Sequence, residues 1–161
     1  MQLSTRGRYA VMALVDLAAR EREAPARPVT LAEIAASQQL SQSYLEQLFG
    51  KLRRAGIVTS VRGPGGGYRL ARPTARLPIA DIVNAVDEPI RVTRCREDGP
   101  GCLLDGDGAP VRCRTHDLWY ELSQQIHRFL SAVSLADVIE GKVAVRAREL
   151  AGDRPATLAA D

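Results

Sequence analysis

The sequence predicts a mainly α fold: three helices closed by a β-hairpin, a fourth helix, and one long helix further on. Three observations predict it. Apolar residues recur at helical spacing along most of the chain, while one stretch, IVTSVRGPGGGYRLAR, alternates as strands do around a cluster of glycines. Aromatic residues are only 4% against 45% apolar residues overall, which points to an aliphatic core packed from helices. At 161 residues, the chain is long enough for one ordinary domain with an added arm.

Residues 5–20 read as the first helix. Tyr9, Met12, Ala13 and Asp16 recur at helical spacing, and Leu14, Val15 and Leu17 widen the apolar face. RPVTLAEIAAS opens a second helix, where Thr30 and Glu33 have the Thr-x-x-Glu spacing of a capping box and Leu31, Ile34 and Ala35 form the inner face. QQLSQ is a short polar break. A third helix follows from Ser43 to about Arg54. Leu45, Leu48, Phe49 and Leu52 fall at i, i+3, i+4 and i+7, one buried stripe, opposite Tyr44, Gln47, Lys51 and Arg54. Gly56 is placed as its C-cap. Two short helices with a tight break between them match a helix-turn-helix, and the hairpin after them completes a winged-helix arrangement over residues 1–88. Its fourth helix is LPIADIVNAVDE, with Pro78 near the start and Ile79, Ile82, Val83 and Val86 on one face.

Residues 89–115 hold all three cysteines among many Gly, Pro and charged residues and read as irregular. HDLWYELSQQIHRFLSAV, residues 116–133, is a long helix striped by Leu118, Leu122, Ile126, Phe129 and Val133. LADVI adds a short one to complete a 116–140 unit. From Gly141 the pattern fades into an expected flexible tail, 141–161. No run approaches the ~18 apolar residues of a membrane span, and the N-terminal stretch lacks a small-residue cleavage site, so the expected location is the cytoplasm.

Charge is uneven. Residues 1–72 carry 11 Lys/Arg against 5 Asp/Glu, a net +6, whereas the remainder carries 11 against 14, a net −3. A basic first half suits a polyanionic partner. The glycine cluster could in principle cradle a nucleotide phosphate, but its positions argue otherwise. No Lys-Ser/Thr pair follows Gly67, as a Walker loop requires. A Gly-x-Gly-x-x-Gly frame begun at Gly63 or Gly65 ends on Tyr68 or Leu70, and a strand rather than a helix comes next. As a wing, the stretch makes sense: glycines let the backbone approach a surface closely, so Gly63, Gly65, Gly66 and Tyr68 are placed at DNA, with Arg62 and Arg69 flanking the turn to reach phosphates or the minor groove.

In a helix-turn-helix, the start of the third helix enters the major groove, which puts Ser43, Tyr44 and Gln47 near base edges. Lys51, Arg53 and Arg54, together with Arg6 and Arg8 of the first helix, are expected at phosphates. Glu46 has two readings: an acceptor for a cytosine amino group or selector against other bases, or the partner of Ser43 in a Ser-x-x-Glu capping box.

Six residues separate Cys95 from Cys102, ten separate Cys102 from Cys113, and two separate Cys113 from His116. An odd cysteine count argues against a disulfide framework. Three thiolates and an imidazole are soft and borderline ligands, suited to a structural zinc ion or to an iron–sulfur cluster. Unliganded thiols are the remaining alternative. No second cofactor motif or substrate pocket supports a redox enzyme.

SYLEQLFGKLRRAGIVTSVRGPGGGYRLAR, the start LSTRGRYAVMAL, AVDEPI, and the three cysteines with THDLW together resemble the IscR family, regulators of iron–sulfur cluster assembly, over about residues 1–140. The resemblance implies a non-enzymatic repressor/activator that binds double-stranded promoter DNA as a homodimer, with residues 116–133 pairing across the dimer. It implies a 2Fe-2S cluster on Cys95, Cys102, Cys113 and His116, repression of cluster-assembly genes in the loaded state, and cluster-donor proteins among the partners. A zinc-stapled DNA-binding protein with no sensing role is the alternative. The ten-residue gap before Cys113 is longer than is usual in the family, and LLDGDGAP reads as an insertion looped out of an intact site.

Overall fold

A computed structural model describes residues 5–86 and 101–152. Helix α1 (Thr5–Glu23) buries Ala10, Ala13, Leu14 and Leu17 along one stripe. It runs three residues past its expected end, with Arg20 and Arg22 in the last turn, where cations suit the helix dipole. Helix α2 (Leu31–Gln38) opens on the expected capping box. Thr30 Oγ1 accepts the Glu33 N–H at 3.3 Å, and the Glu33 carboxylate accepts the Thr30 N–H at 2.9 Å.

That N–H, then the Thr30 hydroxyl and the paired Arg27, hold the Glu33 carboxyl down at about 2, against an ordinary 4.5. A depressed carboxyl stabilises the fold fully above the unfolded value and loses that contribution as pH falls toward the folded one. Glu33→Gln is therefore expected to cost roughly 0.3–1 kcal/mol at neutral pH. Urea unfolding should show the gap narrowing near pH 3; an equal gap at both pH values would exclude the charge as its source.

Helix α3 (Gln42–Arg54) begins one residue before its expected start because Ser41 caps it, accepting the Tyr44 N–H at 3.3 Å. This corrects the Ser43–Glu46 capping box: with Ser41 as the cap, Glu46 lies two residues beyond the capping position and instead accepts from the Gln42 amide at 3.2 Å. Leu45, Leu48, Phe49 and Leu52 are buried as their spacing requires. Strands β1 (Val58–Val61) and β2 (Gly67–Leu70) pair antiparallel, from Val58 opposite Leu70 to Val61 opposite Gly67. Val29, in the α1–α2 connection, extends this sheet: its N–H donates to the Tyr68 carbonyl at 3.0 Å, and the Tyr68 N–H donates back at 2.7 Å.

A 3-10 turn (Thr74–Arg76) leads to α4 (Ile79–Ala85), which starts after Pro78 as expected. The segment read as irregular contains a small hairpin, β3 (Leu103–Leu104) against β4 (Pro110–Val111), its turn held by the Asp105 carboxylate accepting from the Asp107 and Ala109 N–H groups. Helix α5 (His116–Ala132) and α6 (Leu135–Ile139) match expectation, and α6 opens on a second capping box between Ser134 and Asp137. The stretch read as a flexible tail carries α7 (Val143–Ala151), which packs on α5 and α6 and ends at Gly152 with φ +78°.

The core closes around Leu14, Leu17, Ile34, Phe49, Leu52 and Ile82, and it also takes in Val133 and Leu135. The end of α5 is fastened there: Ile79 N–H donates to the Val133 carbonyl at 2.9 Å and Leu135 N–H to the Leu77 carbonyl at 2.8 Å. Ile126, Phe129 and Leu130 pack partly on this core, whereas Leu118 at the other end of α5 is 62% exposed. Thus α5 is anchored at its C-terminal half and leaves the start of its apolar stripe uncovered. Among the described residues, no helix is long and apolar enough to cross a membrane.

Candidate functional site

The residues expected at DNA fall into two sets. Ser43, Glu46, Gln47, Arg53 and Arg54 are exposed, and their offsets of three, four and seven place them on the outer side of α3. Arg6 and Arg8 are exposed on the first turns of α1. The Tyr9 and Tyr44 rings meet edge to face at 6.1 Å, which brings those turns to the start of α3. Arg8 lies 5.9 Å from the Tyr9 ring centroid. Arg62 is exposed at the hairpin turn. These exposed side chains lie on the start of α1, on α3 and at the hairpin turn, and five of the eight are arginines.

The second set points elsewhere. Tyr44 and Lys51, seven residues apart, share a flank of α3 rather than its outer face, and both are half-buried. The Lys51 ammonium lies 3.5 Å from the Val86 carbonyl at the end of α4. Tyr68 is half-buried and packs its ring edge-on against Phe49, 4.9 Å between centroids, so the ring turns onto the core rather than out at the wing tip. Arg69, expected at phosphates with Arg62, donates instead to the Pro25 and Ala26 carbonyls at 2.7 and 2.6 Å. The turn glycines also divide. Gly63 and Gly65 have φ +99° and +75°, a backbone shape that suits glycine. At Gly66 a Cβ would sit 2.4 Å from the Val61 carbonyl oxygen, so this glycine serves close packing inside the turn.

The candidate ligands form a second site. Cys95 lies outside the described residues. Cys102 and Cys113, neither in a disulfide, stand at the two ends of the β3–β4 hairpin, where the Cys102 N–H donates to the Val111 carbonyl at 2.9 Å. Strand pairing therefore loops the ten intervening residues out and returns the two thiols to one another. Cys102 Sγ is 2.9 Å from His116 Nδ1. His116 opens α5, its N–H bonded to the Cys113 carbonyl at 3.0 Å, and its ring is 3% exposed. Its Nε2 is buried with no hydrogen-bond partner among the described residues. The Thr115 hydroxyl, then the Thr115 N–H and more weakly Cys102, hold the Cys113 thiol below its ordinary value. Among the described residues no three ligand-type side chains converge on one point. The donor chemistry nevertheless fits a soft or borderline metal group: two thiols and a buried imidazole nitrogen with no partner among the described residues. His127, by contrast, is exposed mid-helix.

Residues 3–141 match the Rrf2 family, described as iron-dependent transcriptional regulators. The chain belongs to the Rrf2 family. Among its Rrf2 relatives, the HTH-type transcriptional regulator IscR of Xenorhabdus nematophila is 46% identical over 142 residues, covering 88% of this chain and 81% of the relative. The solved structure of T. potens IscR superposes with a TM-score of 0.68 at 35% identity, covering 88% of each chain. CymR, the global cysteine regulator of B. subtilis, superposes equally well, with a TM-score of 0.69 at 30% identity over 88% of this chain and 98% of that one. This Rrf2 protein is thus an IscR-like winged-helix transcriptional regulator that binds DNA, and not an enzyme. The same fold carries IscR and a cysteine regulator, so fold likeness alone does not set the signal.

The residue-type reading missed Glu21, Val29 and Gly67. Each acts through a backbone neighbour on another element, and only the third glycine of the GGG run carried any local signal.

Proposed function

We propose that this Rrf2 protein senses iron–sulfur cluster supply through a 2Fe-2S group on Cys95, Cys102, Cys113 and His116, and represses cluster-assembly genes when loaded. The observation that carries the reading is His116: a buried imidazole touching a thiol with one nitrogen and lacking any partner at the other among the described residues. When bound, such a cluster supplies a redox-active centre whose presence reports supply. His116 is the first residue of α5 and Cys113 is hydrogen-bonded to it, so ligation ties the β3–β4 hairpin to that helix. The exposed Leu118 and Trp119 on the same first turn suit pairing of α5 with a second copy. On the DNA side, Ser43, Glu46 and Gln47 face base edges, with Gln47 able to bond adenine bidentately, while Arg6, Arg8, Arg53, Arg54 and Arg62 reach phosphates.

Anaerobic purification tests the reading. The expected result is a coloured protein with iron and acid-labile sulfide that binds cluster-assembly promoter fragments with different affinity before and after cluster removal. Zinc without sulfide would overturn the cluster, and equal affinities would overturn the switch.

A further inference from the structure

We infer that Glu21 and Arg69 are positioning residues that clamp the wing to the end of α1, and that Arg69 is not itself a DNA contact. Three consecutive residues of β2 are tied to the α1–α2 region. Tyr68 exchanges both backbone hydrogen bonds with Val29. Arg69 forks its guanidinium onto two successive carbonyls, Pro25 and Ala26, just past the end of α1. The Leu70 N–H donates to Glu21 Oε1 at 3.0 Å. A planar guanidinium suits such paired acceptors. Burial pushes the Glu21 carboxyl up, against the pull of the Leu70 N–H and Arg69, so this acid has given up water to make its contact. The turn beyond, from Arg62 to Gly66, is held within itself by the Gly66 N–H on the Gly63 carbonyl. Its position relative to α3 is thus set at the base of the hairpin. The two wing arginines, alike in sequence, divide into one reaching out and one holding the strand.

The inference rests on the reading that the wing meets DNA, and charge gives it a decisive sign. Removing an acid from a DNA-binding protein should tighten binding if only long-range electrostatics matter. The clamp demands the opposite. Binding of the full-length protein to a short mixed-sequence duplex should weaken about three- to tenfold in Glu21→Ala, the scale of one lost hydrogen bond. Glu21→Gln, which keeps an acceptor for Leu70, should bind like the parent or slightly tighter. Arg69→Lys, which keeps the charge but not the fork, should lose as much affinity as Arg69→Ala. Both Arg69 variants should speed amide hydrogen exchange at Tyr68 and Leu70 without DNA. Tighter binding by Glu21→Ala would overturn the clamp. So would an Arg69→Lys that binds like the parent while Arg69→Ala weakens and loses about one unit of salt slope, the signature of a phosphate contact. Failure of the parent protein to bind any duplex would instead remove the DNA reading of the wing.

Discussion

Gly67→Ala is expected to destabilise the protein by about 2–3 kcal/mol, lowering the melting temperature by roughly 5–10 °C. The reason is proximity rather than backbone shape, since Gly67 does not need a positive φ. A Cβ at this position would lie 2.4 Å from the Val29 carbonyl oxygen, 2.7 Å from its carbon and 3.2 Å from the Pro28 carbonyl carbon. All three are backbone atoms, so no side chain can swing aside. To admit the methyl, β2 must move from the α1–α2 connection, which strains the paired Val29–Tyr68 hydrogen bonds and the seat of the Tyr68 ring on Phe49. The loss should therefore appear in DNA binding as well as in melting. Gly50→Ala is the matched control: Gly50 stands in α3, where an added methyl would meet nothing within 4 Å, and alanine is the better helix former. If Gly67→Ala melted with the parent, the sheet would have to be free to open at Val29.

The helices were legible because each has a local cause. The Thr30–Glu33 pair announces α2, and the Leu45-to-Leu52 spacing announces the buried face of α3. Where two local causes compete, the sequence is silent on the winner. SQS offers both Ser41 and Ser43 as caps, and only the later one would have made Glu46 a capping partner, one of its two readings. Helix α7 was missed because Val143, Val145 and Leu150 are its large apolar side chains and the rest are alanine or charged, too weak a stripe to register, though Gly152 marks its end. The β3–β4 hairpin was missed because each strand has two residues, too few for alternation to register. In the candidate interface, residue type marked the charges along the chain but not the directions in which they turn. Lys51 turns to the Val86 carbonyl and Arg69 to Pro25 and Ala26, because carbonyls from distant parts of the chain meet them there. Such partners lie 35 to 44 residues away along the chain, and no local pattern encodes them.

The candidate ligand His116 should separate two quantities that normally move together. Replacing a buried histidine that packs and hydrogen-bonds well destabilises a protein. His116 is buried with Nε2 unpartnered among the described residues, and an unsatisfied buried polar atom costs about 1–3 kcal/mol. An apolar side chain of similar size removes that cost, keeps contact with the Tyr120 ring on which the imidazole stacks at 6.4 Å, and forfeits the Nδ1–Cys102 contact. Metal-free His116→Leu is therefore expected to melt at or above the parent temperature. The same variant should lose metal affinity by at least about 100-fold, the upper end of what even a supporting residue beside a metal contributes. Thermal melts of the stripped proteins and iron content after reconstitution read the two effects independently. A stripped variant that melts well below the parent, with iron content unchanged, would make His116 a structural residue of α5 and leave the cysteines without their fourth ligand. The opposite result would tie the orphaned nitrogen to the bound group: the fold keeps an unfavourable buried atom at the head of α5 because that atom is satisfied only in the loaded state.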